Sequence, residues 1–200
     1  MPPLRINKIT RGETMLEFAS KNHTACEAMR VDMDDLLFRI AAGEQAALAQ
    51  LYEHTQASVF GLALSILKNT HDAEDVLHDC YVAVWQGAAG YRSRGKPLAW
   101  ILTVTRNLCL QQLRTRSRVA DLAPEDWEPY LADKEGVTLE DRSILRSCME
   151  QLRDEERQIV TLHALSGFKH REIAAILQLP LPTVLSKYHR AVKRLKQHLQ

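Results

Sequence analysis

Five cations close the chain: Lys187, Arg190, Lys193, Arg194 and Lys196 follow one another without an intervening acid. Ammonium and guanidinium groups at that density suit phosphate oxygens and base edges in a DNA groove. At about 100° per residue, Val184, Tyr188, Val192, Leu195 and Leu199 fall on one stripe of a helix. Thr183, Lys187, Arg190 and Arg194 fall on roughly the opposite side. The first set can pack on a core while the second, with Ser186, presents donors outward. Lys169 and Arg171 open the preceding segment and can hold phosphates.

Other constellations offer different chemistry. His71-Asp72 and His78-Asp79 are two His-Asp pairs on one helical face, of a kind a metal phosphohydrolase could use. Further ligands at suitable spacing are not evident, and the acids equally make a docking face with Glu74 and Asp75. His23-x-x-Cys26 has ligand-like spacing but stands as a lone pair. Cys26, Cys80, Cys109 and Cys148 form no CxxC pair and read as reduced, mostly core-facing thiols. No Gly-rich phosphate loop or nucleophile motif is present. The expectation is a protein without metal or cofactor that is not an enzyme. A different kind of site is Tyr91 to Pro97, a loop with Tyr91, Arg92, Arg94 and Lys96. An aromatic ring among cations can stack an unpaired base and hold its backbone.

The elements that must position these groups are all helical. Leu179-Pro180-Leu181-Pro182 interrupts an apolar pattern of Ile173, Ala174, Ile176 and Leu177. A residue before proline is pushed out of the α region, so one helix stops near Leu179. Proline suits a first helical position, so another starts at Pro182. Two helices about a tight turn make a helix-turn-helix. Upstream, helical spacing begins at Asp34-Asp35 and breaks at Gly43. It resumes through Leu48, Leu51, Tyr52, Val59, Leu62 and Ile66 to about Lys68-Asn69. Asp72 or Thr70 is expected to cap the next helix, whose seam is Ala73, Val76, Leu77, Cys80, Tyr81, Val84 and Trp85. After the basic loop a fourth helix runs from near Pro97 to about Arg116, apolar all round in its first half, so Trp100 reads as core. No segment alternates as a strand would.

Net charge is +1, so the total predicts no partner, but its distribution is uneven. Asp121 to Asp141 is strongly acidic and the end is basic. The expected architecture is all-α. Residues 1–33 form a loose extension, 34–116 and 139–200 two small helical modules, and 117–138 a flexible acidic linker. No apolar run reaches the length of a membrane span.

At this point the motifs resemble a known family, the extracytoplasmic-function (ECF) sigma factors of bacterial RNA polymerase. AGEQAALAQLYEHTQASVFGLALSIL is similar to the start of their region 2, and DAEDVLHDCYVAVW to the helix that docks on the polymerase clamp. YRSRGKPLAWILTVTRNLCLQQLR resembles the segment that melts and reads the −10 element. Gln151 to Leu199 resembles region 4, the reader of the −35 element. The resemblance implies a cytoplasmic initiation factor that binds the clamp coiled coil and flap of core RNA polymerase and promoter DNA. It also implies control by an anti-sigma factor, and a tether that could let the two modules close together in the inhibited state.

Asp72, Glu74, Asp75 and Asp79 would then meet the clamp, with Leu77 and Tyr81 near the edge. Tyr91, Arg92, Arg94 and Lys96 would capture −10 DNA, with Arg106, Asn107 and Gln111 facing single-stranded or upstream duplex. Thr183, Ser186, Lys187, Arg190 and Arg194, with Lys169 and Arg171, would contact −35 DNA. The chain departs from the family at Gln178, where glycine is usual, so that either a positive φ is tolerated there or the turn differs. It departs at Pro182, where glycine is again usual, and at Leu185, where a base is frequent. A helix-turn-helix regulator acting without polymerase would share the C-terminal module but would not need Asp72 to Arg114.

Overall fold

The computed structural model describes residues 32–93, 95–116 and 139–198. His23, Cys26, Arg94, Leu199 and the acidic segment therefore lie outside the described residues. Regular structure among the described residues is entirely helical.

Helix α1 spans Met33–Ala41. The Asp32 carboxylate starts it by accepting from the amides of Asp34 and Asp35 at 3.0 and 3.3 Å. Those donors have no partner inside a first helical turn. Leu36, Leu37 and Ile40 form its buried face, and Gly43 turns the chain at φ +90°. Helix α2, Gln45–Leu67, is about 35 Å long at the usual rise per residue. It is the pillar against which most other helices lean. It ends at Lys68 in the left-handed conformation.

Helix α3 covers Thr70–Gly87. Its cap is Asn69 rather than the expected Asp72 or Thr70. Asn69 is extended at φ −136°, and its side-chain oxygen accepts the Asp72 amide at 2.9 Å. Thr70 is already helical, so it stands one residue too late to cap. Asp72 is thereby free to turn its carboxylate inward, where Gln112 Nε2 donates to it at 3.0 Å. A short 3-10 turn, Ala88–Gly90, leads to the basic loop. Helix α4, Pro97–Arg116, has proline at its first position, where a missing amide proton is harmless.

The C-terminal module consists of α5 (Leu139–Glu150), α6 (Asp154–Ala164), α7 (His170–Leu177) and α8 (Leu181–His198). Helix α8 begins one residue before Pro182. Gln178 closes α7 at φ 56°, ψ 41°, so of the two alternatives the left-handed residue is the one adopted and the turn keeps its geometry. Arg157 ties the α5–α6 corner by donating to the Met149 and Leu152 carbonyls at 3.0 and 2.8 Å.

Described helices of both modules, α5 excepted, share one continuous apolar core. Leu51, Val59, Phe60, Leu62, Ile101 and Leu102 belong to the same cluster as Ile159, Leu162, Ile173, Ile176 and Val184. Contact between modules runs along α2 with α6 and α4 with α7. At Gly61 the approach is so close that an added Cβ would lie 2.5 Å from Leu165 Cδ2. Two ion pairs cross the same seam, Lys68 to Asp154 at 2.6 Å and Lys96 to Glu172 at 3.1 Å. A second, smaller cluster of Cys148, Leu152, Val160, Ala191 and Leu195 fixes α8 on α5 and α6. The thiols at Cys80, Cys109 and Cys148 are buried and free. Burial pushes Cys80 up to about 11 and Cys109 to about 12, so neither is a nucleophile near neutral pH.

Candidate nucleic-acid interface

Helix α8 presents a narrower face than the sequence stripe suggests. Its buried residues are Val184, Ala191 and Leu195. Ala191 is fully buried, and it draws the buried side toward Lys187 and Arg194. These two cations then sit at the rim, less than a quarter turn away, and meet α6. Lys187 pairs with Glu155 at 2.5 Å, and Arg194 donates to Glu156 at 2.9 Å. Glu156 is 1% exposed and also receives the Arg153 amide at 3.2 Å. The exposed residues recur at helical spacing as Pro182, Leu185, Ser186, His189, Arg190 and Lys193. Among the expected contacts, Ser186 and Arg190 are on that face, and Thr183 is half-buried beside it. His189 and Lys193 were missed by the sequence stripe. The signal that could have found them was alanine counted as a core residue. Lys169 and Arg171 are exposed at the start of α7.

The turn is braced from behind by a ring stack. His163 of α6 and His170 of α7 lie with centroids 4.9 Å apart and planes 24° from parallel. Tyr188 of α8 meets both edge-on, at 4.9 and 4.6 Å. His163 Nδ1–H donates to the Phe168 carbonyl at 2.9 Å, while His170 Nε2 is buried without a partner. Burial first, then the neighbouring His163 and His189, hold the His170 imidazole below its ordinary value. The packing thus favours the neutral form of His170.

On α3 the exposed groups include Asp75, His78, Asp79 and Val82, with His71 and Gln86 towards the two ends and Glu74 half-buried. Of the six residues expected to dock a partner, three are internal. Asp72 is 6% exposed, Leu77 3% and Tyr81 7%. Tyr81 donates to Thr55 Oγ1 at 2.6 Å, since that hydroxyl already donates to the Leu51 carbonyl. The expected docking face therefore narrows to Glu74, Asp75 and Asp79, and gains Val82, which is 55% exposed. A cleft of about 450 Å³ runs from Asp75 and Asp79 to Leu108, Gln111 and Gln112 of α4. Gln111 is thus near the acidic face as well as exposed.

The basic loop is tied down at both ends. Tyr91 donates its hydroxyl to Asp34 of α1 at 2.8 Å, and its ring leans on Trp100 with centroids 5.0 Å apart. Trp100 is half-buried rather than fully internal, because α4 has only begun to enter the core at that point. Arg92 and Lys96 are exposed, and Lys96 makes the ion pair to Glu172 described above. Along α4, Arg106 is half-buried, and Asn107 and Gln111 are exposed. The His-Asp pairs assemble no metal site: groups of three or more possible ligands are absent among the described residues. No described helix is long and apolar enough to cross a membrane.

Comparison with known proteins matches the two helical modules in order. Residues 51–119 match the model of sigma-70 region 2, and residues 142–195 that of sigma-70 region 4. The chain is 29% identical over 178 residues to the ECF RNA polymerase sigma factor SigK of Mycobacterium tuberculosis, covering 84% of this chain and 94% of the relative. It is 28% identical over 175 residues to the SigK of Mycobacterium ulcerans, with the same coverage. Among solved structures, the sigma factor RpoE in complex with the anti-sigma factor NepR from Bartonella quintana superposes with a TM-score of 0.61. That match is 22% identical and covers 76% of this chain and 95% of the other. CnrH, solved with the cytosolic domain of CnrY, gives a TM-score of 0.58 at 23% identity, over 83% and 96% of the two chains.

Proposed function

The chain belongs to the ECF sigma factors of bacterial RNA polymerase, and from that premise we propose which of its surfaces do the work. It directs core polymerase to specific promoters and assists strand opening. It is not itself an enzyme, since nucleotide addition belongs to the polymerase, and it acts in the cytoplasm. The acidic face of α3, with Glu74, Asp75, Asp79 and the apolar Val82, docks on the basic clamp coiled coil. Asp72, Leu77 and Tyr81 hold that face in shape from beneath.

The loop from Tyr91, with Arg92, Arg94 and Lys96, takes the −10 strand as it leaves the duplex. Arg106, Asn107 and Gln111 follow the DNA along α4. The Tyr91–Trp100 pair offers a stacking surface, and promoter melting needs binding of an unstacked base rather than covalent chemistry. In the C-terminal module, Ser186, His189, Arg190 and Lys193 read −35 duplex, with Thr183 beside them and Lys169 and Arg171 on phosphates. Lys187 and Arg194 contribute mainly by positioning α8. An anti-sigma factor is proposed as a regulator, on the likeness in fold to a sigma factor solved with one.

The observation that carries this reading is the presence, on one chain, of an acidic face whose Asp75 and Asp79 have no ion pair among the described residues and of an exposed basic recognition helix. A regulator acting without polymerase has use for the second alone. Run-off transcription with core polymerase across a promoter library tests it. Wild-type protein should start RNA at defined sites, Arg190→Ala should lose upstream-element use, and Tyr91→Ala should form closed complexes that open poorly. Specific operator binding without core polymerase, with no transcript on its addition, would favour the regulator.

A further inference from the structure

The exposed stripe of α8 contains a residue that folding does not explain. Pro182, Leu185, Ser186, His189, Arg190 and Lys193 recur at spacings of three and four. Every side chain from Ser186 onward in that series can donate a hydrogen bond or carry charge. Leu185 is apolar, 37% exposed, and belongs to neither apolar cluster of the protein. It lies in the second turn of the helix, next to Ser186 and one turn before His189. A recognition helix meets base edges with its N-terminal residues. The one apolar group on a base edge in the major groove is the C5-methyl of thymine.

We propose that Leu185 is a specificity-determining residue that reads a thymine methyl in the −35 element. The assignment rests on α8 being the −35 reader. Lys193, about two turns further along, holds the adjacent backbone and so presses the Leu185 side chain toward the bases. A leucine has no donor to offer an amine or carbonyl on a base edge. Its contribution is therefore confined to burying a methyl, and bases without one are disfavoured by a modest, additive amount. Burying one methyl corresponds to about a fourfold change in affinity.

The test uses holoenzyme reconstituted with full-length protein and a library randomised in the upstream element. Wild-type holoenzyme should enrich thymine at one position, and Leu185→Ala should lose that preference while keeping the others. Replacing that thymine by deoxyuridine removes only the methyl. The replacement should weaken wild-type binding about three- to fivefold and leave the Leu185→Ala holoenzyme unchanged. It leaves the protein untouched, so misfolding cannot mimic the result.

Equal loss in both holoenzymes, or no thymine preference in the wild type, overturns the assignment. So does a Leu185→Ala protein that binds core polymerase less tightly but selects the same promoters, because the leucine would then be a protein contact. Arg190→Ala serves as the separate control. If it leaves upstream selection intact, the role of α8 itself is wrong. If it impairs selection while Leu185→Ala does not, only the methyl contact fails.

Discussion

The acidic face of α3 and the basic face of α8 are charged surfaces built on opposite plans. Asp75 and Asp79 are one turn apart on α3, and neither has an ion pair among the described residues. Like charges at that spacing destabilise a helix by a few tenths of a kcal/mol. The free protein bears that cost, which a cationic partner would relieve. On α8, two of the four cations from Lys187 to Arg194 are bound to acids of α6. Charge on α3 is held in reserve, whereas charge on α8 is divided between holding the module together and meeting a ligand. Net charge and charge runs do not distinguish these cases; the location of the counterions does.

The division on α8 can be broken from the structural side. Glu156→Ala removes a buried acceptor used by both Arg194 and the Arg153 amide. A buried pair broken at one partner costs several kcal/mol, less here because Arg194 is one-third exposed. The expected loss is about 2–3 kcal/mol in urea unfolding of the full chain. The complementary change is Arg190→Ala. Among the described residues its guanidinium makes only a 3.3 Å bond to the Ser186 carbonyl of its own helix. It should weaken promoter binding by about 1–3 kcal/mol, with the unfolding midpoint unchanged. If Arg190→Ala unfolds the protein, or Glu156→Ala leaves it as stable as the wild type, the division is wrong.

Two further changes sharpen the comparison from within the helix-turn-helix. Gln178 is left-handed, at a cost of roughly 1 kcal/mol for a residue with a Cβ. Gln178→Gly should therefore raise stability by up to about 1 kcal/mol, read as a higher urea midpoint. His170 should give the module a pH dependence. His170 has a folded-state value below its ordinary 6.5, chiefly through burial, so the unfolded chain takes up the proton first. Stability present above pH 6.5 is lost as pH falls through the folded value. Between pH 7.5 and 5.5 the thermal midpoint should fall more for wild type than for His170→Phe, which keeps a ring but cannot titrate. Equal falls would exclude His170 as the cause.

Much of this was legible in the sequence because it rests on local rules. Pro180 and Pro182 mark the turn through backbone sterics. The place of the turn left two alternatives at Gln178, a positive φ or a different turn, and the acids of α3 stand out by composition. What was not legible depends on partners distant along the chain. Burial of Asp72 requires Gln112, forty residues on. Lys187 and Arg194 look outward until α6 supplies Glu155 and Glu156. Lys96, expected on DNA, pairs with Glu172 across the seam between modules. Ala191 is the instructive residue: small enough to pass as neutral in the pattern, it decides which way α8 faces.

The central claim is that α3 holds its acids for the polymerase while α8 turns its cations to DNA. It is tested most directly by titrating labelled full-length protein with core polymerase, comparing wild type with Asp75→Lys/Asp79→Lys. Reversing two exposed charges should weaken core binding by about 30-fold or more, since like charges across an interface cost several kcal/mol. The fold, far from the altered surface, should be unchanged. Equal affinity of the two proteins for core polymerase would contradict the account.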